Sequence, residues 1–161
     1  LRAALALFPV CTGKGGSVTL RRATKEDCDL MYRWQIRPEI RRFARNPATP
    51  DYDEHRAWFF SRLSDLRCLM HIIEYQGIPA GVIRLDASDP WEEDRGEFEV
   101  SVYVDPDLAR RGIAQAALSA VRRLLPHAVF FAFVLPNNAA SHRLFQACGY
   151  QWNGKCYVNR P

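Results

Sequence analysis

The chain has 161 residues, 48% of them hydrophobic, and a formal charge of +4. That length gives one domain, and four Trp, six Tyr and nine Phe favour a packed core and pocket walls over disorder. The charge is mild and its arginines come in pairs (Arg21–Arg22, Arg41–Arg42, Arg110–Arg111, Arg122–Arg123), which suits small anionic ligands and not a nucleic acid.

Leu1 to Val10 is apolar but has no basic lead and is too short to span a bilayer. It begins with Leu, and residues 12–17 (TGKGGS) read as a linker, so residues 1–17 are expected to be an extension from a longer polypeptide. Residues 18–161 then form the domain. Val18–Arg22 alternates as a short strand. Thr24 with Asp27 three residues on is a helix cap. Leu30, Met31 and Trp34 continue an apolar face until Pro38, and a second short helix is expected from Pro38 to Phe43. The stretch WQIRPEIRRFARNP is dense in arginine and aromatics and reads as one wall of a substrate site. Asp51 and Glu54 cap the next helix, on which His55, Trp58, Phe59 and Leu63 recur at helical spacing. Leu69–Glu74 and Ile78–Leu85 form a hairpin about Gln76–Gly77, with Pro79 placed where no ladder N–H is needed. Asp86 to Arg95 is an acidic loop that carries Trp91.

Glu97 to Leu125 organises the rest. Phe98, Val100, Val102 and Val104 share one strand face; Glu97, Glu99, Ser101 and Tyr103 share the other. Asp105–Pro106 stops the strand. After Gly112 the period changes to that of a helix, with Ile113, Leu118, Val121 and Leu125 on its apolar face. Arg110, Arg111 and Gly112 sit at the join. A helix start offers unpaired N–H groups and a positive dipole end, and glycine admits a ligand close to the backbone. The unit is built to hold a phosphate or pyrophosphate. It is neither a P-loop nor a dinucleotide fingerprint, since no Lys-Ser or Lys-Thr follows the glycine and the three spaced glycines are missing. Val129–Leu135 (VFFAFVL) suits a buried, parallel central strand. Asn137 or Asn138 caps the last helix, Gly149 ends it, and residues 150–158 make a final strand or hairpin about Asn153–Gly154. Five scattered cysteines without a CxxC pair read as reduced, mostly buried thiols of a cytoplasmic chain with no metal site.

A strand ending in VDP, a basic glycine turn opening a helix, and the run Asn138-Ala-Ala-Ser141-His-Arg-Leu144-Phe145-Gln-Ala-Cys-Gly149-Tyr150 together resemble the GCN5-related N-acetyltransferase (GNAT) superfamily. The resemblance covers residues 18 to 158. It implies an α/β fold in which helices flank a mixed, twisted sheet with splayed central strands. It implies acetyl-CoA as cofactor, its pyrophosphate on Arg110, Arg111, Gly112, Ile113 and Ala114. Val102, Tyr103 and Val104 would pair with the pantetheine arm near a β-bulge, with Asn138 beside it and Ser141 and Phe145 nearby. Ala109 replaces the usual Gln or Arg of the pyrophosphate loop. Phe145 stands where many members carry a tyrosine that protonates the leaving thiolate.

For direct attack by a neutral amine, Glu99 is the first candidate base, Glu97 the second and His55 the reserve. The front half most resembles the aminosugar acetyltransferases of pseudaminic acid synthesis, some of which are fused behind a nucleotide-sugar hydrolase. The carrying residues are Trp34-Gln-Ile-Arg37-Pro38-Glu39-Ile-Arg41 and His55 followed by Trp58-Phe59. Trp34, Arg37, Arg41 and Trp58 are therefore the expected acceptor contacts, with Arg42 and Trp91 in reserve. The expected acceptor is a nucleotide-linked aminosugar, with no membrane partner. The alternatives are a protein N-terminus as acceptor, or a catalytically weak acyl-CoA-binding module.

Overall fold

A computed structural model describes residues 10–12, 15–89 and 95–161. Trp91 lies outside the described residues. Among the described residues eight strands form one sheet in the order β1-β2-β3-β4-β5-β6-β8-β7. They are β1 (Val10–Cys11), β2 (Ser17–Arg22), β3 (Cys68–Tyr75), β4 (Ile78–Ala87), β5 (Glu97–Val104), β6 (Val129–Ala132), β7 (Gln151–Trp152) and β8 (Tyr157–Asn159). Among the described residues only β5 and β6 pair in parallel; every other neighbouring pair is antiparallel. Helices α1 (Cys28–Gln35), α2 (Pro38–Arg41) and α3 (Tyr52–Ser64) belong to one layer; α4 (Ile113–Leu124) and α5 (Ala139–Ala147) belong to the other.

Strand alternation sorts the side chains between these layers. Met70, Ile72 and Val82 face Met31, Trp34 and Phe59 of α1 and α3. Leu69, Ile73, Ile83, Leu85, Phe98 and Val100 face Ile113, Ala117 and Val121 of α4 and Phe145 of α5. Local chemistry sets the boundaries. Asp27 accepts hydrogen bonds from the Thr24 N–H and is gripped by Arg21 through both terminal nitrogens at 2.8 and 2.7 Å. Asp51 and Glu54 form the expected reciprocal cap of α3. Gln76 and Gly77 both have positive φ, the conformation that a tight two-residue hairpin requires. The register shifts by one at Ile73/Glu74, so Pro79 sits beside an irregularity of the ladder.

Val10–Cys11 joins the sheet as β1 beside β2, and the Thr12 hydroxyl accepts from the Gly16 N–H. Two expectations are corrected. The run from Val129 is a strand only to Ala132, and its burial alternates, with Phe133 and Leu135 exposed. Its apolar residues serve two walls in turn, one under α4 and one along a cleft. The expected bulge in β5 is absent too, since β5 keeps unbroken register with β4 from Ala87–Phe98 to Gly81–Val104. The central strands splay for another reason. β6 pairs with β5 only from Glu97–Val129 to Glu99–Phe131 and then departs. Beyond Glu99, one edge of β5 is left without a strand neighbour.

Candidate active site

The splay opens a cleft of about 1640 Å³. One wall is β5 from Glu99 to Val104; the other is Phe133–Leu135 with Asn138, Ser141 and Phe145 of the α5 region. Residues 108–115 close one end, and the segment from Ile40 to Pro50 with Trp58 closes the other.

At the first end, Gly112 adopts the left-handed conformation with φ 77° and precedes α4 without any side-chain cap. The first turn of α4 has no acidic residue, so its N–H groups stay available to an anion. Arg110 has φ 62°, also left-handed, so the basic turn bends sharply just before the helix. Neither Arg110 nor Arg111 has a carboxylate partner among the described residues. Along the middle, the Asn138 Oδ1 accepts from the Ser141 N–H and starts α5. Phe145 is buried, edge-on to Tyr150 and stacked near Tyr157. It offers no proton. Ser141, one turn earlier on the same helix, is the hydroxyl that α5 contributes to the cleft.

At the second end, Glu99 is part-buried and its Oε1 accepts from Arg45 at 2.5 Å. Among the described contacts its Oε2 accepts nothing. Arg45 also lies 5.7 Å from the Phe133 ring centre. Trp58 lines the cleft with Arg84 stacked over it at 5.5 Å, and Arg84 in turn pairs with Asp86. Arg41 spends its terminal nitrogens on Gln35 and on the Asn46 carbonyl; its Nε is buried without a partner. Burial lowers its pKa. The Tyr103 hydroxyl is likewise enclosed, near Gln35, and burial raises its pKa.

The profile of the acetyltransferase (GNAT) domain matches residues 17–151. The chain belongs to the GNAT acetyltransferase family. It is an acetyl-CoA-dependent N-acetyltransferase. The GNAT chain shares its fold with the aminoglycoside acetyltransferase AAC(6')-Ib in complex with coenzyme A, at 21% identity and TM-score 0.77, covering 89% of this chain and 95% of that one. Mycobacterium smegmatis RimJ in complex with CoA-disulfide matches at 18% identity and TM-score 0.74, covering 95% and 84%. An uncharacterised protein from Bacillus halodurans matches at 16% and 0.75, covering 96% and 88%. No curated protein sequence matches the chain.

The cleft fits the family's cofactor. An uncapped helix start beside two unpaired arginines suits a pyrophosphate, and a strand edge without a neighbour suits an amide-bearing arm. The structure brings Glu99, Val102, Tyr103, Val104, residues 110–114, Asn138, Ser141, Phe145, Arg41 and Trp58 to this one cleft.

Other expected residues serve elsewhere. Glu97 is exposed and is not among the residues that line the cleft. Trp34 is buried, donating from Nε1 to Asp105 at 2.8 Å, and anchors the end of β5. Arg37 pairs with Asp107 at 3.2 Å and with Glu39 at 3.6 Å, tying α2 to the turn after β5. His55 borders the cleft but is only 2% exposed. Its Nε2 lies 3.1 Å from the Cys28 carbonyl, which can only accept, so Nε2 carries the proton. Its ring packs against Tyr32, Trp58 and Phe59, and burial lowers its pKa. That makes it a clamp between α1 and α3. Sequence reasoning missed Arg45 and Arg84. Arg45 belongs to the arginine-rich stretch already singled out, but nothing local marks it off from its neighbours. Among the described residues no cluster of His, Cys, Asp or Glu is placed for a metal, and no helix is long and apolar enough to cross a membrane.

Proposed function

We propose that this GNAT enzyme acetylates the primary amine of an anionic acceptor, with a nucleotide-linked aminosugar as the best fit. The observation that carries the reading is the charge of the cleft. Arg41, Arg42, Arg45, Arg84, Arg110, Arg111, Arg143 and Lys155 line it, against Glu39, Glu54 and Glu99. Four of those cations, Arg41, Arg42, Arg45 and Arg84, come from segments other than the basic turn before α4. Such a field attracts phosphates and repels a polycationic acceptor. Trp58, half-buried under Arg84, offers a flat apolar face for a base or a sugar ring. Five cysteines without disulfides and the need for acetyl-CoA support a cytoplasmic setting.

The residues take roles that follow from their positions. Arg110 to Ala114 hold the pyrophosphate, and the free edge of β5 from Val102 to Val104 orders the pantetheine arm, with Asn138 opposite. Bound there, acetyl-CoA supplies the thioester carbonyl that the amine attacks. Glu99 lies where β5 and β6 part, and its free Oε2 takes the proton from the amine, directly or through a water. Phe145 and Leu144 keep that part of the cleft dry. Ser141 is the hydroxyl nearest in sequence to supply a proton to the departing sulfur.

The test compares kcat/KM for a UDP-linked 4-amino sugar, an aminoglycoside and a panel of N-terminal peptides. The sugar nucleotide is expected to lead. A peptide or aminoglycoside preferred by more than about tenfold, roughly 1.4 kcal/mol, overturns the assignment. Cofactor binding without transfer to any amine favours a binding module instead.

A further inference from the structure

Arg45 reaches out of the segment between α2 and α3, with its side chain 76% exposed, and places its guanidinium on Glu99 at 2.5 Å. It also approaches Phe133, which belongs to the opposite wall. This contact spans the cleft at the point where β5 and β6 separate. An amine that is to reach Glu99 meets a cation already there. The Arg45 side of the pair is open to water, which screens the attraction, so a competing ammonium can displace it. The displaced guanidinium stays tethered to the cleft, which Arg41 and Arg42 of the same stretch also line. A second like charge entering there is repelled; an anion is not.

We infer that Arg45 selects acceptors that carry both an amine and a phosphate. The acceptor's ammonium replaces the guanidinium on Glu99, and its phosphate takes the guanidinium that is released. One internal ion pair becomes two with the ligand. A neutral aminosugar makes only the first exchange and leaves Arg45 unpaired. A polycation makes the first and suffers repulsion at the second. The ion pair also gives the empty site a stand-in for the substrate, holding the Glu99 carboxylate in place before the amine arrives. This inference rests on the acetyl-transfer reading with Glu99 as base, and it adds the residue that sets specificity.

The experiment uses three acceptors: a 4-amino sugar, its 1-phosphate and its UDP-linked form. Each is measured by kcat/KM, and by calorimetric titration into the protein saturated with coenzyme A. The wild type is expected to favour the 1-phosphate over the free sugar by about tenfold or more. Arg45→Gln is expected to bring that ratio close to one, by weakening the phosphate form while sparing or improving the free sugar. Arg45→Lys keeps most of the preference. If the 1-phosphate gains little and the UDP form gains all, the anion is read through the nucleotide's diphosphate; Arg45→Gln must then erase that gain. An unchanged ratio in Arg45→Gln, or an equal loss on all three acceptors, overturns the inference. The titrations decide the matter even if no amine is acetylated: binding that prefers phosphate through Arg45 upholds it, and binding without that preference ends it.

Discussion

Glu99 differs from its neighbour Glu97 by two residues along one strand face, and that spacing decides their fates. A step of two carries a side chain about 7 Å along the strand. Glu97 stands where β6 still pairs with β5; Glu99 stands where the pairing ends. Only the second borders the cleft. Glu99→Gln is expected to lower the single-turnover rate by a factor of about 10² to 10⁴ while acetyl-CoA binding stays unchanged. A full rate in that variant rejects Glu99 as the base. Glu97→Gln serves as the companion measurement and is expected to leave the rate near that of the wild type. His55 illustrates the opposite case. Its helical spacing with Phe59 was legible, but its commitment to the Cys28 carbonyl, 27 residues earlier, was not.

At the scale of elements, the turn before α4 is the most specialised part of the chain. Gly112 has a left-handed φ of 77°, which a β-branched residue adopts only under strain, and its missing side chain leaves the helix start open. Gly112→Val is expected to abolish measurable acetyl-CoA binding by calorimetry, with a smaller loss of thermal stability. Retained affinity in a folded variant would move the pyrophosphate elsewhere. The α3 cap is a purely structural counterpart. Asp51→Ala removes the acceptor of the Glu54 N–H and is expected to cost about 1 kcal/mol in denaturant titrations without changing KM for acetyl-CoA. Gly81 links the sheet to the site. A Cβ there would lie 2.3 Å from the Tyr103 carbonyl oxygen, so glycine is what lets β4 pass this close to β5 beside the cleft.

For the molecule as a whole, the buried histidine of the central sheet sets the acid side of stability. His71 of β3 is 2% exposed, and among the described residues no hydrogen bond of ordinary geometry reaches either ring nitrogen. Burial, with the Arg22 cation across the strand pair, pushes its pKa down to about 4. The unfolded chain regains the ordinary value near 6.5, so between those values it binds more protons than the native state. Stability is therefore full above pH 6.5 and falls as the pH drops toward 4, by an order of roughly 3 kcal/mol. Asp27, with its pKa lowered by Arg21 and the Thr24 N–H, adds a separate loss below its ordinary value of 3.8. Thermal unfolding from pH 7 to pH 4.5 should show the first loss, and His71→Leu should flatten it. An unchanged slope in that variant would assign the loss to other groups.

The sequence by itself determined the elements that depend on near neighbours. Periodicity bounded β5 and α4; Asp51 with Glu54 marked one helix start and Asn137 or Asn138 another; Gly112 marked the turn that opens α4. Each of these signals lies within one or two turns of chain, where backbone sterics and capping act. The last-helix motif carried the family in the same way. Tertiary structure alone decided which carboxylate borders the cleft, because that depends on where β6 leaves β5. It decided too that Trp34 and Arg37 serve Asp105 and Asp107, about seventy residues away, while Arg45 reaches Glu99. An arginine's long side chain can satisfy its charge on any carboxylate within reach, and the fold alone sets which one that is.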